Sequence, residues 1–279
     1  MRHLADVPAD AIPGAWVEPA GRPALDADAV HVWRIALAVP DAEQAERAAV
    51  LARDEVARAA RFHFERDRRR WTAARGAVRA VLAGYAGVPA ASLAFRVGPH
   101  GKPALDGPAA RAGLDFNVSH SGDLALCAVT HERAVGVDVE AIRPDFATGE
   151  VARRFFAPAE VAALEALPPA ERVEAFFACW TRKEAYIKAR GTGIALGLDR
   201  FEVSLAPGRP VALLATQDEP AAAARWRFGA LAPGEGYAGA LVTDGPARLA
   251  CWQWPPAEAW PGTEAKAGLR GAQTGPDRG

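Results

Sequence analysis

One pattern limits what this chain can fold into: a strand, a long helical stretch and further strands, in that order, occur twice. Each pass takes roughly 110–120 residues, within a chain of 279. In the first pass, VHVWRIAL (30–37) reads as a strand, and helical pattern follows from Asp41 to the neighbourhood of Gly84, broken near Phe62–Asp67. LAFRVG (93–98) and LDFNVS (114–119) are strand-like, joined by PHGKPALDGPAARAG, whose glycines and prolines predict a turn-rich link. LALCAVT (124–130) and AVGVDVE (134–140) read as a hairpin around His131–Arg133. Helical pattern resumes over 149–190 and stops at Gly191, and FEVSL (201–205), WRFGAL (226–231) and YAGALVT (237–243) close the second pass as strands. The expected fold class is therefore α+β: two similar α/β halves packed side by side with a cleft between them. The expected divisions are an irregular segment over 1–28, a first half over 29–123, a second over 124–254 and a disordered Pro/Gly/Ala-rich tail over 255–279.

Charge removes one class of function. The 33 Lys and Arg side chains nearly balance 34 Asp and Glu, so no global field draws a polyanion, and no nucleic-acid partner is expected. Three widely spaced cysteines, Cys127, Cys179 and Cys251, suit reduced thiols better than a disulfide framework or a zinc site. MRHLADVPADAIPG lacks an apolar signal core and no apolar run reaches the length of a membrane span, so a cytoplasmic protein without a membrane partner is expected.

Three constellations carry chemistry. In AVGVDVE a strand period of two puts Val135, Val137 and Val139 on one face and Gly136, Asp138 and Glu140 on the other. The two carboxylates then stand about 7 Å apart, with a glycine beside them leaving room for something to approach. They suit either a solvated acidic edge or a divalent cation such as Mg²⁺. The second constellation is WTRKEAYIKARGTG (180–193). With Trp180 at zero and about 100° per residue, Phe176 falls at about −40°, Ile187 at about −20°, Glu184 at about 40° and Lys188 at about 80°. Glu184 thus lies inside the apolar arc, where a carboxylate is costly without a partner. It is either half of an i,i+4 pair with Lys188 or a metal ligand or general base. The third is residues 53–79, with nine arginines against four acids. It suits phosphate binding, an ion-paired solvated face with pairs such as Asp67–Arg70, or an RNA-contacting helix. GKP (101–103) and NVSHSGD (117–123) add a lysine in a turn and three side chains able to bond phosphate. Ser119 and His120 are adjacent, lack a nucleophile elbow and have no evident orienting acid, which argues against a hydrolase.

GKP, FNVSHSGD, GVDVE and FFACWTRKEAYIKARGTGI, in this order and spacing, closely resemble the Sfp-type 4′-phosphopantetheinyl transferases, from about Arg53 to about Thr243. The resemblance implies a monomer of two α/β halves related by a pseudo-twofold, holding coenzyme A and Mg²⁺, or Mn²⁺, in the cleft. It implies transfer of phosphopantetheine to a serine of an acyl or peptidyl carrier protein, with release of adenosine 3′,5′-bisphosphate. By the same resemblance Asp138, Glu140 and Glu184 are metal ligands, Glu184 the general base and Lys188 the lysine on the pyrophosphate or departing phosphate. Ser119, His120, Lys102 and Arg70 match residues that hold the nucleotide and its phosphates, and Arg53 and Arg58 stand where relatives carry lysines. Two other functions remain open to the sequence: a Mg²⁺-dependent coenzyme A or nucleotide phosphotransferase with a small-molecule acceptor, and an RNA- or partner-binding module on the arginine-rich helix. The first lacks a phosphate loop of the type G-x-x-x-x-G-K-[ST], and the second lacks an aromatic RNA-binding signature.

Overall fold

Two 22-residue helices organise the molecule, a computed structural model that describes residues 2–3, 16–217 and 222–254. The expected tail over 255–279 lies outside the described residues. After β1 (Arg2–His3) and β2 (Ala29–Ala36), the first helical stretch is three helices, α1 (Asp41–Ala49), α2 (Arg53–Ala59) and α3 (Glu65–Ala86). Next come β3 (Ala94–Val97), β4 (Pro103–Asp106), β5 (Leu114–Ser121) and β6 (Leu124–His131). The second pass runs β7 (Val135–Ala141), α4 (Gly149–Phe155), α5 (Pro158–Ala166), α6 (Pro169–Arg190), β8 (Phe201–Val203), β9 (Leu213–Thr216), α7 (Ala222–Arg225), β10 (Trp226–Leu231) and β11 (Tyr237–Asp244), and β12 (Arg248–Gln253) follows.

The repeat is one of topology. In each half a strand leads through helices to a two-stranded hairpin, β3–β4 or β8–β9, and then to two more strands. The first strand of each half pairs with the last, and the last with the one before it: β2–β6–β5 in one sheet, β7–β11–β10 in the other. Each half buries a core between its sheet and its long helix. Trp33, Ile35, Phe116, Cys127 and Val129 meet the alanine-rich face of α3, and Phe228, Ala240 and Val242 meet Phe176, Tyr186 and Ile187 of α6. A third core joins the sheets, with Val30 and Val32 of β2 and Leu126 and Ala128 of β6 against Val135, Val137 and Val139 of β7. Each of these valines is fully buried and contributes roughly 1.5–3 kcal/mol relative to exposure.

Three expectations are corrected. β6 and β7 form no hairpin: β6 pairs with β2 and β5, and β7 pairs with β11 in the other sheet. The turn at Glu132, which takes a left-handed φ of 48°, carries the chain from one sheet to the next. The turn-rich link contains β4, which pairs with β3 from Val97↔Pro103 to Ala94↔Asp106; proline is tolerated there because it is the first residue of the strand. The arginine-rich stretch is largely ion-paired, but not as expected. Asp67 pairs with Arg66, Arg70 reaches Asp123 at 2.6 Å, and Glu55 takes both Arg75 and the fully buried Arg79. Strand β12 was not foreseen. It returns to the first sheet and lies parallel to β2.

β7 is the edge of its sheet and runs beside β5, whose side chains cover its open side. Asn117 Oδ1 accepts from the Val137 N–H at 2.9 Å, and Ser121 Oγ accepts from the Ala141 N–H at 3.0 Å. Asn117→Ala is expected to cost about 1–3 kcal/mol by orphaning a buried amide. A lower urea midpoint at unchanged slope is the readout.

Candidate active site

A cleft of about 460 Å³ opens between the two long helices, over the junction of β5 with β7. α3 contributes Trp71, Ala74, Arg75 and Val78, and β5 contributes Val118, Ser119 and His120. β7 contributes Asp138 and Glu140, and α6 contributes Trp180, Glu184 and Lys188. The strand period and the helix period together aim both acidic motifs into one space. Gly136 has a different part from the one expected. A Cβ built on it would lie 2.0 Å from the Ala185 carbonyl oxygen and 2.4 Å from the Ala189 nitrogen. What approaches the glycine is therefore the backbone of α6 itself, and this closeness brings Glu184 and Lys188 over the acids of β7.

Asp138 is the most enclosed of these groups, at 2% exposure. Its Oδ1 accepts from Ser119 Oγ at 2.7 Å and from Lys188 Nζ at 2.6 Å, while its Oδ2 is buried without a hydrogen-bond partner. Lys188 also lies 3.0 Å from Ser119 Oγ. Glu140 accepts from Ser121 Oγ at 2.7 Å. Burial pushes all three carboxyls up from the ordinary range. For Glu184 the neighbouring Asp138 adds to the upward push, as Glu140 does more weakly, and Lys188 opposes it. Among the described residues no three Asp, Glu, His or Cys side chains stand together closely enough to grip an ion.

Of the residues singled out in the sequence, the cleft gathers Ser119, His120, Asp138, Glu140, Glu184 and Lys188. Lys102 lies outside it, 3.1 Å from both Asp115 Oδ1 and the Val135 carbonyl oxygen, in a neighbouring pocket that shares Pro103 with the cleft. Arg70, paired with Asp123, does not line the cleft either, and Arg53 and Arg58 are exposed on α2, Arg58 with its guanidinium 5.5 Å from the Trp71 ring. The sequence reading missed Arg75 as a separate site residue. It lines the cleft while its guanidinium stacks 3.9 Å over Phe95 and pairs with Glu55. Among nine arginines no spacing marks it out; only the face of α3 turned toward β5 does.

Comparison with known sequences fits this geometry. The pattern of the 4′-phosphopantetheinyl transferase N-terminal domain matches residues 39–132, and that of the 4′-phosphopantetheinyl transferase superfamily matches 134–242. The 4′-phosphopantetheinyl transferase HetI of Nostoc sp. is 42% identical over 230 residues, covering 82% of this chain and 94% of its own. This chain belongs to the 4′-phosphopantetheinyl transferase family. The 4′-phosphopantetheinyl transferase Sfp of Bacillus subtilis is 34% identical over 146 residues, 52% of this chain and 62% of Sfp. The putative 4′-phosphopantetheinyl transferase slr0495 of Synechocystis sp. is 39% identical over 152 residues, 54% of this chain and 61% of its own. The two matched domains meet at the turn where β6 gives way to β7, where the chain changes sheets. As a member of the family the chain is a transferase of phosphopantetheine to carrier proteins, and its fold is the α+β arrangement expected. Among the described residues no helix is long and apolar enough to cross a membrane.

Proposed function

We propose that this chain moves the phosphopantetheine arm of coenzyme A onto a serine of an acyl or peptidyl carrier protein with Mg²⁺ held by Asp138, Glu140 and Glu184. The observation that carries the metal is Asp138 Oδ2, a carboxylate oxygen buried without a hydrogen-bond partner beside two further carboxylates that share the single lysine Lys188 with it. The donor set is all oxygen, which suits Mg²⁺ and also Mn²⁺. Bound there, the ion would neutralise charge on the pyrophosphate of coenzyme A.

The side chains of this protein account for the rest. The carrier serine oxygen forms its bond to the β-phosphorus as the anhydride bond to the adenosine side breaks, and adenosine 3′,5′-bisphosphate leaves. Glu184 takes the serine proton; burial and the nearby acids raise its basicity. Lys188, 26% exposed at the side chain, faces the charge developing on the departing phosphate. Arg75, on the opposite wall and held by Glu55 and Phe95, adds a further cation facing the same phosphates. The Ser119 hydroxyl is engaged by Asp138 and Lys188. The exposed His120 at the cleft rim therefore makes the phosphate contact on β5. Lys102, across Pro103, serves the adenine and 3′-phosphate end, with Arg70, Arg53 and Arg58 on the approach. The cleft is complete within one chain, which supports a monomer, and three free cysteines suit the reducing cytoplasm.

Intact-mass spectrometry of an apo carrier protein incubated with this chain, coenzyme A and Mg²⁺ tests the whole reading. A gain of one phosphopantetheine, abolished by EDTA, is expected. A gain that EDTA leaves intact removes the metal from the mechanism. Coenzyme A binding without a gain on any of several carriers indicates a small-molecule acceptor.

The raised carboxyls make a second prediction. A carboxyl whose folded pKa lies above its unfolded value stabilises the fold below the unfolded pKa, and that stability is lost as pH rises through the folded pKa. Metal-free protein thus loses stability as pH rises and these carboxyls ionise, and Mg²⁺ bound between them would offset that loss. The rise in Tm on adding Mg²⁺ is expected to be large at pH 8 and to shrink toward pH 5, where protons occupy the same oxygens. A pH-independent rise would place the ion elsewhere.

A further inference from the structure

The structure assigns to Ser119 and Ser121, two residues apart on β5, the task of aiming the carboxylates of β7; this rests on the reading of Asp138 and Glu140 as metal ligands. A carboxylate turns readily about its last torsion, so which oxygen meets a ligand is set by what holds the other. In Asp138, Oδ1 is saturated by Ser119 Oγ and Lys188 Nζ, and Oδ2 is the oxygen left open. In Glu140, Oε2 takes Ser121 Oγ, which is itself fixed by the Ala141 amide at 3.0 Å. The arrangement recurs with the period of the strands: Ser119 to Asp138, Ser121 to Glu140.

Covering the edge of β7 accounts for the Ser121 contact with the Ala141 amide but not for Ser119. Asn117 performs that task for Val137, whereas the partners of the Ser119 hydroxyl are both side chains, Asp138 and Lys188. The ligands belong to the second half and the groups that aim them to the first. Metal affinity therefore depends on the register of β5 against β7, not on the second half alone. Neither serine touches the reacting atoms; both are positioning residues.

Titration of the full chain with Mn²⁺ in the presence of coenzyme A, followed by electron paramagnetic resonance, tests this. Ser121→Ala is expected to raise the Mn²⁺ dissociation constant about 10-fold or more, with kcat recovering at saturating metal. Ser121→Thr, which keeps the hydroxyl, is expected to restore affinity to within about 3-fold of the unsubstituted protein. Wild-type affinity in Ser121→Ala, or a Thr variant as weak as the Ala variant, overturns the proposal. If Ser121→Ala lowers Tm too far to titrate, Ser119→Ala gives the same reading, since no backbone amide depends on Ser119 for its partner among the hydrogen bonds described. Absence of a bound ion in the unsubstituted protein is a separate result: it defeats the metal reading itself, and this one with it.

Discussion

Glu184→Gln is expected to lower turnover by about 10²–10⁴-fold, the range for loss of a general base, while coenzyme A binding weakens only modestly. Glutamine keeps the shape and the packing on α6 between Phe177 and Ile187 but cannot take a proton. The pH profile sharpens the test. Activity requires the carboxylate form, so the rate falls on the acid side with a midpoint raised by burial and by Asp138. A cation beside the carboxylate favours its charged form, so added Mg²⁺ moves that midpoint to lower pH. Isothermal titration with coenzyme A and single-turnover mass spectrometry separate binding from chemistry. Turnover retained in Glu184→Gln would assign the base to another group. Loss of binding with turnover intact in the bound fraction would make Glu184 a substrate-binding residue instead.

Gly136→Ala is the second large effect, and it acts on the fold and the site together. The added Cβ would meet backbone atoms of Ala185 and Ala189, which cannot turn aside as a flexible side chain can. Relief requires α6 to move away from β7, and overpacking of this kind costs about 3 kcal/mol or more. The helix that moves carries Glu184 and Lys188, and a misplacement near 1 Å costs about 10²-fold in rate. The variant is therefore expected to lose both several degrees of Tm and most of its kcat, the second loss persisting at temperatures where the protein stays folded. Gly21→Ala is the control, since nothing lies within 4 Å of a Cβ there; its effect is expected within about 0.5 kcal/mol. Wild-type stability in Gly136→Ala would mean that α6 and β7 are not in backbone contact.

Much of the site was legible because its side chains follow local periods. A period of two separated Asp138 and Glu140 from the buried valines of β7, and a period near 3.6 put Glu184 in the apolar arc of α6. Strand partners were not legible. Periodicity says which way a side chain faces, but it does not say which strand lies alongside, so two neighbouring strands with a short turn read as a hairpin although β6 and β7 join different sheets. β4 was hidden by its proline and flanking glycines, and β12 by its position after the repeat had seemed complete. Gly136 was noticed, but what it admits is another helix, a long-range fact. Arg75 was concealed by composition, one of nine similar side chains whose partners differ only in three dimensions.

β12 also bears on how the protein is made. β2 is flanked on one side by β6 and on the other by β12, and more than a hundred residues separate these two neighbours along the chain. At usual rates of synthesis that gap takes on the order of ten seconds. Through this interval the growing chain holds a central strand with one side unpaired, its backbone donors and acceptors open. The first half thus cannot finish on the ribosome before the second, and the two halves mature as one cooperative unit. Nascent chains stopped after β6 should need chaperone protection that chains extended through Trp254 do not.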